Sequence, residues 1–437
     1  MTPTVPHIKS NNVQATASNT PNKLLRTVMG ASNSLLSKTK GDKVIWGIVL
    51  VLTLISLLVV YSATSSLAYK TQQGNTIYLL KQVVLIIAGF VIIYISHLVN
   101  YTFYARTAIW LFIISVLLLI YTKVFGHTTN QATRWIRLPI VNITFQTSDF
   151  AKLALFMYLS LILSRKQNII HNFRKAFLPI IFPILTICVL IAIDNFSTGA
   201  LLFLSCMVVC FIGRVHWKHL AIIVAFGVSV LGSLTWAAVT YYDPQKEELK
   251  ELPAYLSVAR VPTWISRIQV FIYPSKKGDR SNDHQANQAR IAVAKGFMFG
   301  KGPGKSVQKN FLPDSFSDFI YAIVIEEYGL LGGGFLLFLY LLFLFRCIRI
   351  FKRCPYAFGA FLALGLSFTL VIQALFNMAV AVSLFPVTGV TLPLVSMGGT
   401  SFIATCISIG IILSVARNVE VMEGKQLAEN ALAQSEN

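Results

Sequence analysis

The chain has 437 residues, 55% hydrophobic and 12% charged, and its mean hydropathy is +0.67. Apolar runs long enough to cross a bilayer, ~20 residues each, recur along it, which excludes a water-soluble globular fold and predicts an all-α polytopic membrane protein. The net charge of +20 does not mark a nucleic-acid binder, because Lys and Arg lie in short blocks between apolar runs.

Residues 1–43 are rich in Ser, Thr, Asn and Lys and read as a disordered tail without the apolar core and cleavage site of a signal peptide. Spans are expected over residues 44–61, 79–96 and 108–121. A fourth begins near Phe150 and a fifth ends at Asp194, followed by the polar exit Asn195, Ser197 and Thr198. Further spans are expected over 198–212, 220–241, 319–345, 358–382 and 402–415, which makes about ten within a membrane domain of 44–417. Residues 418–437 read as a second tail.

Charge placement agrees with that count. Arg106, Arg165, Lys166, Arg174, Lys175, Arg214, Lys218, Arg346, Arg349, Lys352 and Arg353 all fall on the side of the basic N-terminal tail, so both termini are expected in the cytoplasm. The loop 242–317 lies on the other side, and its amphipathic stretch 264–271 predicts a helix lying on the bilayer. A basic outer loop suits an anionic, lipid-linked substrate. The six cysteines lack CxxC spacing and read as packing residues.

The stretch 311–327, FLPDSFSDFIYAIVIEE, places Asp318, Glu326 and Glu327 in or beside an apolar run. A charge near mid-bilayer costs roughly 2.5–3.5 kcal/mol, so such groups face a polar cavity or a partner. Asp318 marks the boundary between loop and span. A partly desolvated carboxylate there can act as a general base, and the same position fits a helix N-cap. Glu326 lies about 80° from Asp318 on an ideal helix and is the expected cavity residue, with Glu327 on the opposite side. Leu312, Pro313 and Asp314 look like the device that aims Asp318.

Other polar groups carry a functional and a structural reading. Asp149 and Lys152, spaced i and i+3, can pair on one helix face, at a site or as a structural ion pair. Arg134 with Trp135, and Arg267 in the long loop, suit diphosphate through the planar guanidinium fork, or equally lipid headgroups. Gly300, Gly302 and Gly304 form a tight turn beside Lys301 and Lys305, whose amides could cradle phosphate. Gly398 and Gly399, between Ser396 and Ser401, allow non-helical backbone to line a cavity or make a re-entrant turn.

Four stretches together resemble a family: VVYSATSS, TRWIRLPIVNITFQTSDFAKLA, NQARIAVAKGFMFGKGPGKSVQKNFLPDSFSDFIYAIVIEEYGLLGG and FPVTGVTLPLVSMGGTS. They are similar, in order and membrane placement, to the SEDS family of FtsW, RodA and SpoVE, over about residues 42–417. Residues 306–309 and 389–396 resemble the FtsW branch more than RodA.

The resemblance implies a ten-helix fold and polymerisation of lipid II. Asp318 matches the family's required Asp. Gln146 to Lys152 match the motif Q-P-S-E-x-x-K, with Thr147 for Pro and Asp149 for Glu, an acid that reaches one methylene less far. Lys301, Lys305, Gln308, Glu326 and Ser396 join Asp149, Lys152, Arg134, Trp135 and Arg267 as expected substrate-binding residues. The implied reaction is inverting: the acceptor's GlcNAc 4-hydroxyl, deprotonated by Asp318, attacks C1 of the donor MurNAc, and undecaprenyl diphosphate leaves toward basic residues or a divalent cation, Mg or Mn. Implied partners are a class B transpeptidase of FtsI type, FtsQ-, FtsL- and FtsB-like proteins and membrane lipids, at the division septum of a bacterial inner membrane. A flippase for lipid-linked precursor, a RodA-like elongation role and a helix-holding scaffold are the competing readings.

Overall fold

The computed structural model describes residues 41–65, 75–129, 132–137, 144–243, 248–249, 253, 260–273, 281–312 and 316–435. The tail expected at residues 1–43 falls almost wholly outside them, as do Pro313 and Asp314.

Helix α1 (Lys43–Ala63) begins where Asp42 Oδ1 accepts from the amides of Val44 and Ile45. Such a cap satisfies donors that the first helical turn cannot pair internally. Next come α2 (Asn75–Leu98) and α3 (Tyr101–Phe125), the latter capped by Asn100. A three-stranded antiparallel sheet follows, β1 (His127–Thr129), β2 (Ala132–Arg137) and β3 (Thr144–Gln146), with Trp135 opposite Gln146. It leads directly into α4 (Thr147–Arg165). Then come α5 (Leu178–Asp194), α6 (Phe196–Ile212) and α7 (Trp217–Thr240).

The long loop contains α8 (Val261–Ile272), a helix over the expected amphipathic stretch, and α9 (Ser281–Gly296). Gln269 of α8 reaches under the end of α7, donating to the carbonyls of Ala238 at 2.9 Å and Tyr241 at 3.3 Å. The remaining spans are α10 (Ile320–Arg353), α11 (Ala357–Ala381) and α12 (Gly399–Ser435).

Among the described residues nine helices are long and apolar enough to cross a membrane, and α6, with 17 residues, is a shorter apolar helix between two of them. These make up the ten-helix membrane protein expected from hydropathy. Helices α4 and α11 are buried along most of their length, whereas α7 is almost wholly exposed on an apolar surface that suits lipid.

Two helices outrun their hydropathy. Helix α10 continues to Arg353, and α12 continues to Ser435 through the stretch read as a tail. The added residues of α12 are rich in Glu, Met, Lys, Gln, Leu and Ala, strong helix formers that need no lipid. Helix α10 is broken at Gly329, where φ is 70°. There Leu330 N donates to Phe297 O at 2.8 Å and Leu331 N to Met298 O at 3.3 Å, so the outer loop takes over bonds the helix would have made.

Candidate active site

Asp318 ends the outer loop, two residues before α10, and is half-buried. The helix cap falls on Phe319, with no side-chain cap bond. Neighbours from distant sequence fix the main chain around Asp318. Asn377, buried in α11, donates its Nδ2 to Asp318 O at 2.8 Å and to Val390 O at 2.6 Å. Ser396 Oγ donates to Ser317 O at 2.6 Å and accepts from Leu392 N at 2.9 Å, and Met397 N donates to Phe316 O at 3.0 Å. Ser317 Oγ donates to the Asp318 carboxylate at 3.0 Å.

The segment 388–397 between α11 and α12 is non-helical at its start and carries Gly389 at φ 71°. A Cβ on Gly389 would stand 3.3 Å from Asp318 Oδ2, so glycine here lets backbone and carboxylate meet. Gly389 also lines a polar cavity that is open on one side. Gln146, Asp149 and Lys152 form one wall of this cavity, Asn195 and Thr198 another, and Gln373, Thr391 and Ser401 a third.

Asp149 and Lys152 pair at 2.6 Å, so the shorter acid still closes the ion pair. Asp149 sits in the first turn of α4, where the helix dipole favours a negative charge. Its Oδ2 is buried with no hydrogen-bond partner among the described residues.

Arg267 reaches the same segment from α8, with Nη1 donating to Thr388 O at 3.2 Å. Burial lowers its pKa, the charge of Arg260 adds to that, and the negative charge of Asp318 opposes it. Arg260 itself donates to Asp194 O at 2.6 Å. A guanidinium stays protonated through such shifts, so Arg267 presents a poorly hydrated cation in the field of Asp318. Trp135 is half-buried on β2, and Arg134 precedes it on that strand.

The residues around Glu326 form a separate assembly. Both Glu326 and Glu327 are fully buried. Glu326 pairs with Lys301 at 2.7 Å and accepts from Ser306 Oγ and from the amides of Val307 and Gln308, each at 3.2 Å. Glu327 accepts from Ser62 Oγ of α1 and from Ser306 N. The amides of Lys301 and Gly302 donate to the carbonyls of Glu326 and Glu327. The glycine-rich turn thus gives its amides to main-chain carbonyls, and the residues just after it, Ser306 to Gln308, hold the protein's own pair of carboxylates, which differs from the phosphate cradle its composition suggested. Nor do the two glutamates part to opposite sides: both meet Ser306, because the loop wraps over them. Gln308 is buried in this clasp, and Lys305 stands exposed at its rim.

Asn377, Gln373, Thr388 and Gly389 were not foreseen. The amides of Gln373 and Asn377 inside the apolar run of α11 were the available signal, since a polar group at membrane depth needs a partner. Among the described residues no cluster of three or more His, Cys, Asp or Glu side chains could hold a metal ion.

The sequence model of the cell cycle protein family of FtsW, RodA and SpoVE matches residues 42–421, and the chain belongs to that family. A probable peptidoglycan glycosyltransferase FtsW of Hydrogenovibrio crunogenus is 30% identical over 374 residues, 84% of this chain and 90% of that protein. The stage V sporulation protein E of Bacillus subtilis is 30% identical over 87% of this chain and 98% of its own length. Among solved structures, a chain from a peptidoglycan synthase complex that coordinates polymerization and crosslinking superposes with a TM-score of 0.67 at 24% identity, covering 87% of this chain and 98% of that one. The rod shape determining protein RodA of Thermus thermophilus superposes at 0.60 and 22% identity, covering 86% and 97%.

Proposed function

We propose that this chain is a peptidoglycan glycosyltransferase that polymerises lipid II in septal wall synthesis, with Asp318 as its general base. The observation that carries the reading is the place of Asp318. It is a half-buried carboxylate at the membrane boundary, its main chain held by Asn377, opposite the Gly389 wall of a polar cavity. The names of the FtsW relatives support the reaction class over a carrier.

In this mechanism the Asp318 carboxylate takes the proton of the acceptor's GlcNAc 4-hydroxyl as that oxygen attacks C1 of the donor MurNAc. A carboxylate positioned at the reacting hydroxyl can take its proton in the transition state. Arg267 lies where it can offset charge on the departing diphosphate, and the Asp149–Lys152 pair forms the far wall for polar substrate groups. A divalent cation would be held chiefly by the substrate's own phosphates and would stabilise the leaving group.

The basic blocks on the face opposite Asp318 support a topology with that face in the cytoplasm and the loop outside the inner membrane. The likeness to a chain of a peptidoglycan synthase complex that coordinates polymerization and crosslinking supports a crosslinking partner, which in this reading is a class B transpeptidase of FtsI type working with FtsQ-, FtsL- and FtsB-like proteins.

Polymerisation of lipid II by the purified protein with its transpeptidase tests the reading. Asp318→Ala and Asp318→Asn are expected to lose at least ~100-fold in rate while remaining monodisperse. Glycan strands made by folded Asp318→Ala would refute the base assignment. Movement of precursor across vesicles without polymer would favour a carrier.

A further inference from the structure

Two clusters of cations lie on the membrane face opposite Asp318, and they differ in their neighbours. At the junction of α1, α10 and α12 the cations meet acids. Arg346 pairs with Asp42 at 2.6 Å, Arg353 faces Glu423 at 3.8 Å, and Glu420 accepts from Gly41 N at 2.7 Å. At the ends of α4 to α7 the cations meet none. The connections 164–177 and 213–219 carry Arg165, Lys166, Arg174, Lys175, Arg214 and Lys218 without one Asp or Glu. None of the six forms an ion pair among the described residues. All but Lys166 are exposed.

These two connections are built into one surface. The rings of His171 and His216 meet edge to face at 6.1 Å, and His219 packs on Phe173 at 4.9 Å and Phe177 at 5.0 Å. Lys166 Nζ donates to Lys175 O, and Asn172 Oδ1 accepts from Lys175 N at 3.1 Å. Arg214 sits at φ 63°, a left-handed backbone that a branched or long side chain seldom adopts and that is kept where surroundings over-determine it. Around the cations stand apolar side chains open to the bilayer, Trp217 at 64% exposure and Phe173 at 46%. Aromatic rings at headgroup depth beside uncompensated cations make a surface for a molecule with an anionic head and an apolar tail.

We propose that this surface, at the ends of α4 to α7, binds the phosphate headgroups of anionic phospholipids. The positive-inside rule calls for cations on this face, but it does not call for the exclusion of carboxylates from one cluster while Asp42, Glu420 and Glu423 stand in the other. The uncompensated charge has its complement in a phosphodiester. The fixed spacing of the two connections lets several cations act on one headgroup or on two neighbouring ones, and a lipid with two phosphates is retained more strongly than one with a single phosphate.

Native mass spectrometry of the full chain in detergent, with phosphatidylglycerol, cardiolipin or phosphatidylcholine added in equal amount, tests this. The wild type is expected to retain the two anionic lipids, cardiolipin more strongly, and little phosphatidylcholine, and added inorganic phosphate leaves the bound lipid in place. R174Q/K175Q/R214Q/K218Q is expected to lose retention of the anionic lipids by ~10-fold or more, whereas R349Q/K352Q, from the other cluster, retains them as the wild type does. Equal retention by the first variant and the wild type, equal loss in both variants, or equal retention of phosphatidylcholine would overturn the proposal. Monodisperse elution of each variant separates lost binding from lost folding.

Discussion

Asn377 Nδ2 bridges two main-chain carbonyls, Asp318 at 2.8 Å and Val390 at 2.6 Å, and so ties the proposed base to the segment that walls the cavity. Ser396 Oγ makes a second tie between the same stretches, donating to Ser317 O at 2.6 Å. Asn377→Leu keeps the volume and removes both donors, leaving two carbonyls unpaired at a cost of about 1–3 kcal/mol each where water cannot enter. The expected outcome is a lower melting temperature in detergent and a fall in kcat for polymerisation larger than any rise in KM, since the base is misplaced rather than the substrate lost.

Glu326 holds the turn 301–308 by four bonds. Glu326→Ala leaves buried amides without an acceptor and frees Lys301, a loss of roughly 3–5 kcal/mol if the loop cannot relax. Limited trypsin digestion should then cut at Lys301, Lys305 and Lys309 much faster than in the wild type. An unchanged digestion rate would show that the loop holds itself without the carboxylate.

Lys152→Met strands the Asp149 carboxylate in a buried wall and is expected to destabilise by roughly 3–5 kcal/mol. The double change Asp149→Asn with Lys152→Met removes both charges and should recover part of that loss. A thermal-melt double-mutant cycle measures the coupling, and activity that stays low in the stabilised double variant would separate a catalytic role from a structural one.

At Gly329 a Cβ would lie 2.2 Å from Met298 O, and φ is 70°. Gly329→Ala therefore combines a backbone clash with a strained conformation, and the loss is expected to exceed ~4 kcal/mol. Size-exclusion chromatography should show little monodisperse protein, whereas Gly334→Ala, with nothing within 4 Å, should elute as the wild type.

Hydropathy made the helices legible because a span is a local property: some twenty apolar residues declare it wherever they occur. Asp318 was legible because it stands where polar loop turns into apolar helix. The clasp was not, since Lys301 and Ser306 find Glu326 only after the loop folds back over some twenty residues, and a glycine-rich turn looks the same whether its amides meet a ligand or the chain's own carbonyls. Asn377 carried a weak signal, but nothing in its neighbourhood names Asp318, 59 residues earlier, as the carbonyl it serves. The extension of α12 was hidden because its last turns are polar, and helix propensity without hydrophobicity leaves no mark on a span profile.

The first helix is braced by partners made much later. Ser56 donates to Val395 O and Ser62 to Glu327, 339 and 265 residues further along the chain. At ordinary translation speeds these partners emerge on the order of tens of seconds after α1 has entered the bilayer. For that interval Ser56 can accept from Gln82 of α2, but the hydroxyl hydrogens of Ser56 and Ser62 have only lipid, water at the interface, or the helix's own carbonyls to satisfy them. The helix is therefore a waiting component, and assembly closes from the C-terminal third backwards, so a nascent chain halted before residue 327 holds every early span and still lacks the contacts that seat the first of them.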